Sequence, residues 1–215
     1  MKAFKYACFI SYCHGQGALV SSFIEQLKTS LKACLEPYFD TDECVYIDED
    51  RLKSGALYNT GLADAICRSM SMIVVYMPKY EHHSYCLREY TAMERLEAER
   101  FKLSGNGAAQ DRGMIIPILF RGRADDLPER IRKHRHFCDF SKFTTATSDI
   151  LKNEEFVRKI EEIASYIYDL SKEFDSLAAN PCSNCSSFQL PAETEVKPWH
   201  ETIPVTPFVF RQQNP

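Results

Sequence analysis

The sequence predicts an α/β chain with a flavodoxin-like, three-layer fold around a five-stranded parallel sheet. Five short apolar runs, Tyr6 to Tyr12, Cys44 to Asp48, Ser71 to Met77, Met114 to Phe120 and His136 to Phe140, are spread along the chain. The segments between and after them carry apolar residues at helical intervals. The first run is nearly continuous in hydrophobicity, as expected of a central parallel strand covered on both faces. Strands alternating with helices in this way call for a doubly wound sheet.

Composition sets the bounds. A length of 215 residues accommodates one domain and an appendage. With 45% hydrophobic and 26% charged residues, the chain reads as soluble and globular. A net charge of -4 gives no general attraction to nucleic acid or to an anionic membrane, so neither is expected as a partner. Lys5 interrupts the apolar N-terminal stretch, and no later run reaches the roughly 18 residues needed to cross a bilayer, which points to a cytoplasmic location. Nine cysteines, an odd number scattered through strands and helices, fit a reducing compartment in which most are packed thiols.

The first strand, YACFISY, ends in CHGQG. Gly15 and Gly17 can bring backbone N–H groups close to a ligand, and the following helix offers its positive N-terminus to a phosphate; an ordinary strand-to-helix turn is the alternative. Leu19, Phe23, Ile24, Leu27, Leu31 and Leu35 form one apolar helical face, and Pro37 ends that helix. After the second strand, EDRLKSGALYNT reads as a long polar connection to a short helix through Leu62, Ile66 and Ser69. That loop carries Glu49, Asp50, Arg51 and Lys53 ahead of Gly55, and is either solvated or a partner-binding surface.

The third strand, SMIVVYM, is broken by Pro78, and a helix opens near Ser84. Its charged stretch from Glu94 to Arg100 reads as a solvated face. A glycine-rich link leads to the fourth strand, where Pro117 is tolerable near an edge or bulge. A basic, partly helical connection precedes the short fifth strand at the sheet edge. Asn153 to Phe174 is amphipathic, with Phe156, Ile160, Ile163, Ile167, Leu170 and Phe174 on one face.

The domain, residues 1–174, should end there. Residues 175–215 hold six of the ten prolines and no glycine, which marks an appendage, not a second core. Within it, Ile203 to Phe210 is apolar enough to dock on the domain or on a partner. Cys182-x-x-Cys185 is half of a zinc ribbon without the other half, so isolated thiols are expected. His134 and His136 lack a third ligand at suitable spacing, and no metal is assigned.

The chemistry is expected around Glu89. In a parallel sheet ligands gather beyond the carboxyl ends of the strands, and the stretch from Tyr80 to Glu94 leaves the third strand and opens a helix. Tyr85 and Glu89 lie four apart, on one helical face. An aromatic plate beside a carboxylate can hold a flat cationic ring and stabilise nearby positive charge. A glutamate near a helix N-terminus is also favoured simply by the macrodipole.

A response regulator, which shares this fold, normally ends its third strand in aspartate; this chain has Met77-Pro78. The sequence instead resembles a TIR (Toll/interleukin-1 receptor) domain from about Lys5 to Phe174. FISY, Phe9 to Tyr12, is similar to the family's first box. Tyr46-Ile47-Asp48 followed by Leu52 and Gly55 resembles the second strand and its BB loop, and Tyr80 to Glu89 resembles the tyrosine, serine, Trp-Cys and glutamate pattern. The usual tryptophan is Tyr85 here, with Ser84 directly beside it.

The resemblance implies cleavage of the nicotinamide–ribose bond of NAD+, with NAD+ as substrate and no cofactor. Glu89 would be catalytic and Tyr85 would contact the nicotinamide ribose or ring. Phe9 and Tyr12 would shape the pocket, and His14, Gly15 and Gly17 would lie near the phosphates; core packing explains Phe9 equally well, and an exposed loop explains His14. Cys86 is expected to be packed, not nucleophilic. Asp50, Arg51, Leu52, Lys53 and Gly55 would form the self-association surface.

A TIR protein of this size resembles the sensor enzyme of Thoeris anti-phage systems, with a phage-derived trigger and a separate effector that reads the product. The product, ADP-ribose or a cyclic isomer, depends on which atom attacks the anomeric carbon. A non-enzymatic TIR adaptor and a nucleoside-processing transferase are the competing readings.

Overall fold

β1 (Tyr6–Tyr12), β2 (Val45–Ile47), β3 (Ser69–Tyr76), β4 (Ile115–Leu119) and β5 (Cys138–Asp139) pair in parallel in the order β2-β1-β3-β4-β5. The structure, a computed structural model, describes residues 4–14, 17–39, 44–48, 55–103, 112–144, 150–177 and 179–199. The five-stranded parallel sheet and the α/β class are as the sequence predicts. β3 is buried along its whole length, which its SMSMIVVY sequence tolerates because Ser69 and Ser71 bond backbone carbonyls, Ala65 O and Ala7 O.

Helices α1 (Ala18–Leu35) and α5 (Glu154–Asp175) pack together on one side, and α2 (Gly55–Cys67) packs with α3 (Ser84–Leu103). A fourth, short helix, α4 (Glu129–Arg132), precedes β5. α1 buries Phe23, Ile24, Leu27, Leu31 and Leu35, but Leu19 in its first turn is 40% exposed. In α5 all six predicted apolar residues are buried, and the Asn153 side chain accepts from Glu155 N and Phe156 N, capping two of the otherwise unpaired amides. Among the described residues no helix is long and apolar enough to cross a membrane.

Several expectations are corrected. α2 begins at Gly55, so half of the predicted polar connection is helix, and Ser69 belongs to β3 instead. Pro117 lies in an interior strand: Phe120 N donates to Tyr76 O while Leu119 O accepts from Phe140 N, so odd residues of β4 face β5. The missing N–H of Pro117 therefore faces β5, whose short pairing with β4 begins at Ile118. The charges from Glu94 to Arg100 are not all solvated. Arg135 forks onto both oxygens of Glu97 at 2.7 and 2.6 Å, Arg130 meets Glu94 at 2.9 Å, and Arg100 is buried.

Arg100 also fixes the tail. Its guanidinium donates to Ser69 O at 3.0 Å, to Cys67 O and to Pro181 O at 3.3 Å, and lies 4.8 Å from the Phe4 ring centroid. Burial lowers its pKa to about 10, opposed by the neighbouring Cys182 thiol. Cys185 is disulfide-bonded to Cys67 at the end of α2, which overturns the expectation of an isolated thiol there, whereas Cys182 is a free thiol as expected. Further along, Arg88 Nε donates to Pro191 O at 2.6 Å, Arg95 pairs with Glu195 at 2.8 Å, and Trp199 packs edge-on against Tyr90 at 4.8 Å. Residues 179–199 thus lie along α3; Ile203 to Phe210 lies outside the described residues.

Candidate active site

The strand order places a switch point between β1 and β3: the chain leaves β1 toward β2 on one side, and β3 enters on the other. The connections after β1 and after β3 diverge there, at the carboxyl ends of the strands, where sheets of this kind bind ligands. Ser11, Tyr12, Cys13 and His14 stand at the exit of β1. After β3, Pro78 breaks the strand and starts a single 3-10 turn, Pro78–His82, and His83 O accepts from Leu87 N as α3 begins. Glu89 then comes in the second turn of α3, facing back toward β1.

Glu89 is 1% exposed, and its Oε2 accepts a 2.5 Å hydrogen bond from Ser11 Oγ. Ser11 Oγ also lies 2.7 Å from Tyr80 OH, and Tyr80 OH donates to Cys86 O at 3.2 Å. Tyr80 is fully buried, and burial raises its phenol well above the usual range, with Cys86 and Glu89 adding in the same direction. These contacts link the catalytic candidate through β1 to the first turn of α3. Burying a carboxylate is costly unless it is bonded, and a short hydroxyl-to-carboxylate bond is the strong kind.

The other predicted residues divide. Tyr12 and His14 are half-buried at the mouth of β1, their rings stacked at 4.3 Å. Tyr85 is half-buried, with the Arg88 guanidinium 5.3 Å from its ring centroid. Phe9 is fully buried and stacks on Tyr46 at 5.5 Å, as core packing explains. Gly17 is the N-cap of α1 in extended conformation, accepting from Val20 N and Ser21 N; an added Cβ there meets nothing within 4 Å. Gly15, Asp50, Arg51, Leu52 and Lys53 lie outside the described residues, and Gly55 is the first residue of α2. His134 and His136 are exposed near β5.

Sequence reasoning gave no role of their own to Ser11 and Tyr80, although both lie in the motifs quoted, and it passed over a cluster formed by Cys13, His83 and Cys86. A lone serine inside the apolar run CFISY was the available signal for the first. For the cluster, His83-x-x-Cys86 at a helix start is visible in the sequence, but its third member follows β1, 70 positions earlier.

A family model described as TIR domain matches residues 8–152, which spans β1 through the approach to α5 and includes Ser11, Tyr80 and Glu89. Among solved structures, the chain is similar to the TIR domains in the structure of the activated Roq1 resistosome directly recognizing the pathogen effector XopQ. That similarity has 18% identity over 84% of this chain and 94% of that one, with a TM-score of 0.38. No curated protein matches.

Proposed function

The chain belongs to the TIR domain family, and from that premise we propose that it cleaves the nicotinamide–ribose bond of NAD+. The observation that supports this most is Glu89: a carboxylate at the β1/β3 switch point, held in one orientation by Ser11.

In this reaction the C–N bond breaks with its electron pair passing to the pyridinium, so nicotinamide leaves neutral and needs no proton donor. The ribose is left with oxocarbenium character, which a fixed carboxylate stabilises. Glu89 supplies that charge and holds the ribose hydroxyls; Ser11 positions Glu89. Tyr85 flanks the nicotinamide ribose, while Tyr12, His14 and the backbone at Gly15 and Gly17 shape the approach for the phosphates, with Phe9 packed behind them. Attack by water, with loss of its proton, gives ADP-ribose; attack by an atom at the adenine end gives a cyclic isomer. NAD+ is the substrate and no cofactor takes part.

Glu89 is shut away in the single chain, so the ribose reaches it only after the β1 exit or the start of α3 moves. Self-association through residues Asp50 to Gly55 would provide that movement, which makes the enzyme one that works in assemblies. Open head-to-tail contacts of this kind propagate. A role as a cytoplasmic signalling enzyme of the Thoeris anti-phage type, with a phage-derived trigger and a separate effector, rests on the sequence resemblance alone.

The burial of Glu89 also favours a second reading, a TIR adaptor in which the Ser11–Glu89 pair simply fastens β1 to α3. Chromatography of NAD+ incubated with increasing concentrations of the protein separates the two. Nicotinamide with ADP-ribose or a cyclic isomer, formed at a specific activity that rises with concentration, supports the enzyme; intact NAD+ in assembled protein supports the adaptor.

A further inference from the structure

Beside Glu89, Cys13 Sγ, a ring nitrogen of His83 and Cys86 Sγ converge: the three atoms lie within 4.8 Å of one another, with 3.5 Å between the two sulfurs and 3.4 Å between Cys86 Sγ and His83 Nδ1. We propose that these three side chains form a binding site for one zinc-class, thiophilic divalent ion. The proposal does not depend on the NAD+ reading.

The spacing suits such an ion. With Zn–S near 2.3 Å and Zn–N near 2.0–2.1 Å, a tetrahedral centre separates two sulfur ligands by about 3.7 Å and a sulfur from a nitrogen by about 3.6 Å. Two of the three separations are therefore within a few tenths of an ångström of what coordination requires, before any adjustment. Two thiols and an imidazole select a soft or borderline cation over magnesium or calcium, which take oxygen ligands. Three protein ligands leave a fourth position for water or an outside group.

Access and support are also present. Cys13 and Cys86 are buried, whereas His83 is half-buried and gives the side from which an ion enters. The ligands sit on three differently anchored pieces of backbone: the end of β1, the turn before α3, and the first turn of α3. The Cys86 carbonyl is held by Tyr80 OH, which also contacts Ser11. Such outer-shell bonds fix ligand orientation. On binding, each thiol releases its proton to solvent and the sulfur donates its electron pair to the ion. The ion would then tie the β1 exit to α3 three residues before Glu89.

The test is cobalt and zinc titration of the full chain, purified anaerobically without reductant so that the Cys67–Cys185 bond is retained. One Co2+ per chain is expected, with a thiolate-to-cobalt charge-transfer band, intense visible bands of a tetrahedral centre, and displacement by Zn2+. Cys13→Ser, Cys86→Ser and His83→Ala should each weaken affinity by about a hundredfold or more, beyond the 10- to 100-fold typical of outer-shell changes. Cys34→Ser, at a thiol outside the cluster, should leave it unchanged. His83 is the member least embedded in the core, so His83→Ala checked by circular dichroism covers the case in which a cysteine variant fails to fold. Absence of the charge-transfer band, binding that persists in His83→Ala and Cys86→Ser, or a native Cys13–Cys86 disulfide would each overturn the proposal.

Discussion

Ser11 Oγ donates a 2.5 Å hydrogen bond to Glu89 Oε2, joining the exit of β1 to the second turn of α3 across 78 residues of sequence. Ser11→Ala leaves a buried carboxylate without this donor. The expected cost is about 1–3 kcal/mol of stability, read as a lower urea midpoint. Because Ser11 positions Glu89, NAD+ cleavage should fall by about a hundredfold, mostly in kcat. Ser11→Thr keeps the hydroxyl and should recover most of the rate.

The Cys67–Cys185 disulfide closes 118 residues of chain. A loop of that size contributes about 5 kcal/mol in the chain-entropy account, so Cys185→Ser should lower the urea midpoint markedly. Alkylation of the denatured, unreduced chain should modify seven cysteines, and nine after reduction. Trp199 is the sole tryptophan and packs on Tyr80 and Tyr90, so its fluorescence reports whether the tail stays docked. In Cys185→Ser the emission should shift to the red before the domain unfolds.

Arg100 bonds three carbonyls from β3, α2 and the tail. Arg100→Met removes the charge but leaves those carbonyls without their donor. Loss of about 3 kcal/mol or more is expected, together with faster proteolysis after residue 179. Arg100→Lys should rescue only part of this, because one ammonium cannot span the fork.

Alkaline pH should destabilise the fold. Burial pushes the Tyr90 phenol up to about 12, opposed by Arg135, and raises the Cys8 and Cys86 thiols as well. In the unfolded chain these groups ionise near 10 and 9. Their stabilisation is complete below those unfolded values and is lost as pH rises through the folded ones. The urea midpoint should therefore fall from about pH 9 toward about pH 12, and Tyr90→Phe should fall less steeply above about pH 10. Arg100, whose folded pKa is lowered to about 10, acts in the opposite sense above that pH.

The strands, the long helices and the apolar face of α5 were legible because they rest on local periodicity. So was the spacing of Glu89 from Tyr85, and its place beyond a strand end. What escaped depends on contacts between distant segments. Arg100 sits in a run of alternating charges and is indistinguishable locally from Glu99, yet only Arg100 meets three carbonyls from other segments. Cys185 pairs with Cys67 because the tail returns along α3, which composition does not reveal. Ser11 and Cys13 gain their roles from the register of β1 beside β3, which brings both to the start of α3.

The most direct test of the account is nicotinamide release from NAD+ by the concentrated protein, measured beside Glu89→Gln. The amide keeps an acceptor for Ser11, so the variant should fold with a urea midpoint near that of the parent. The account predicts cleavage by the parent chain and a loss of about a hundredfold or more in the variant. Equal rates in the two proteins, or intact NAD+ with both when assembled, would contradict it.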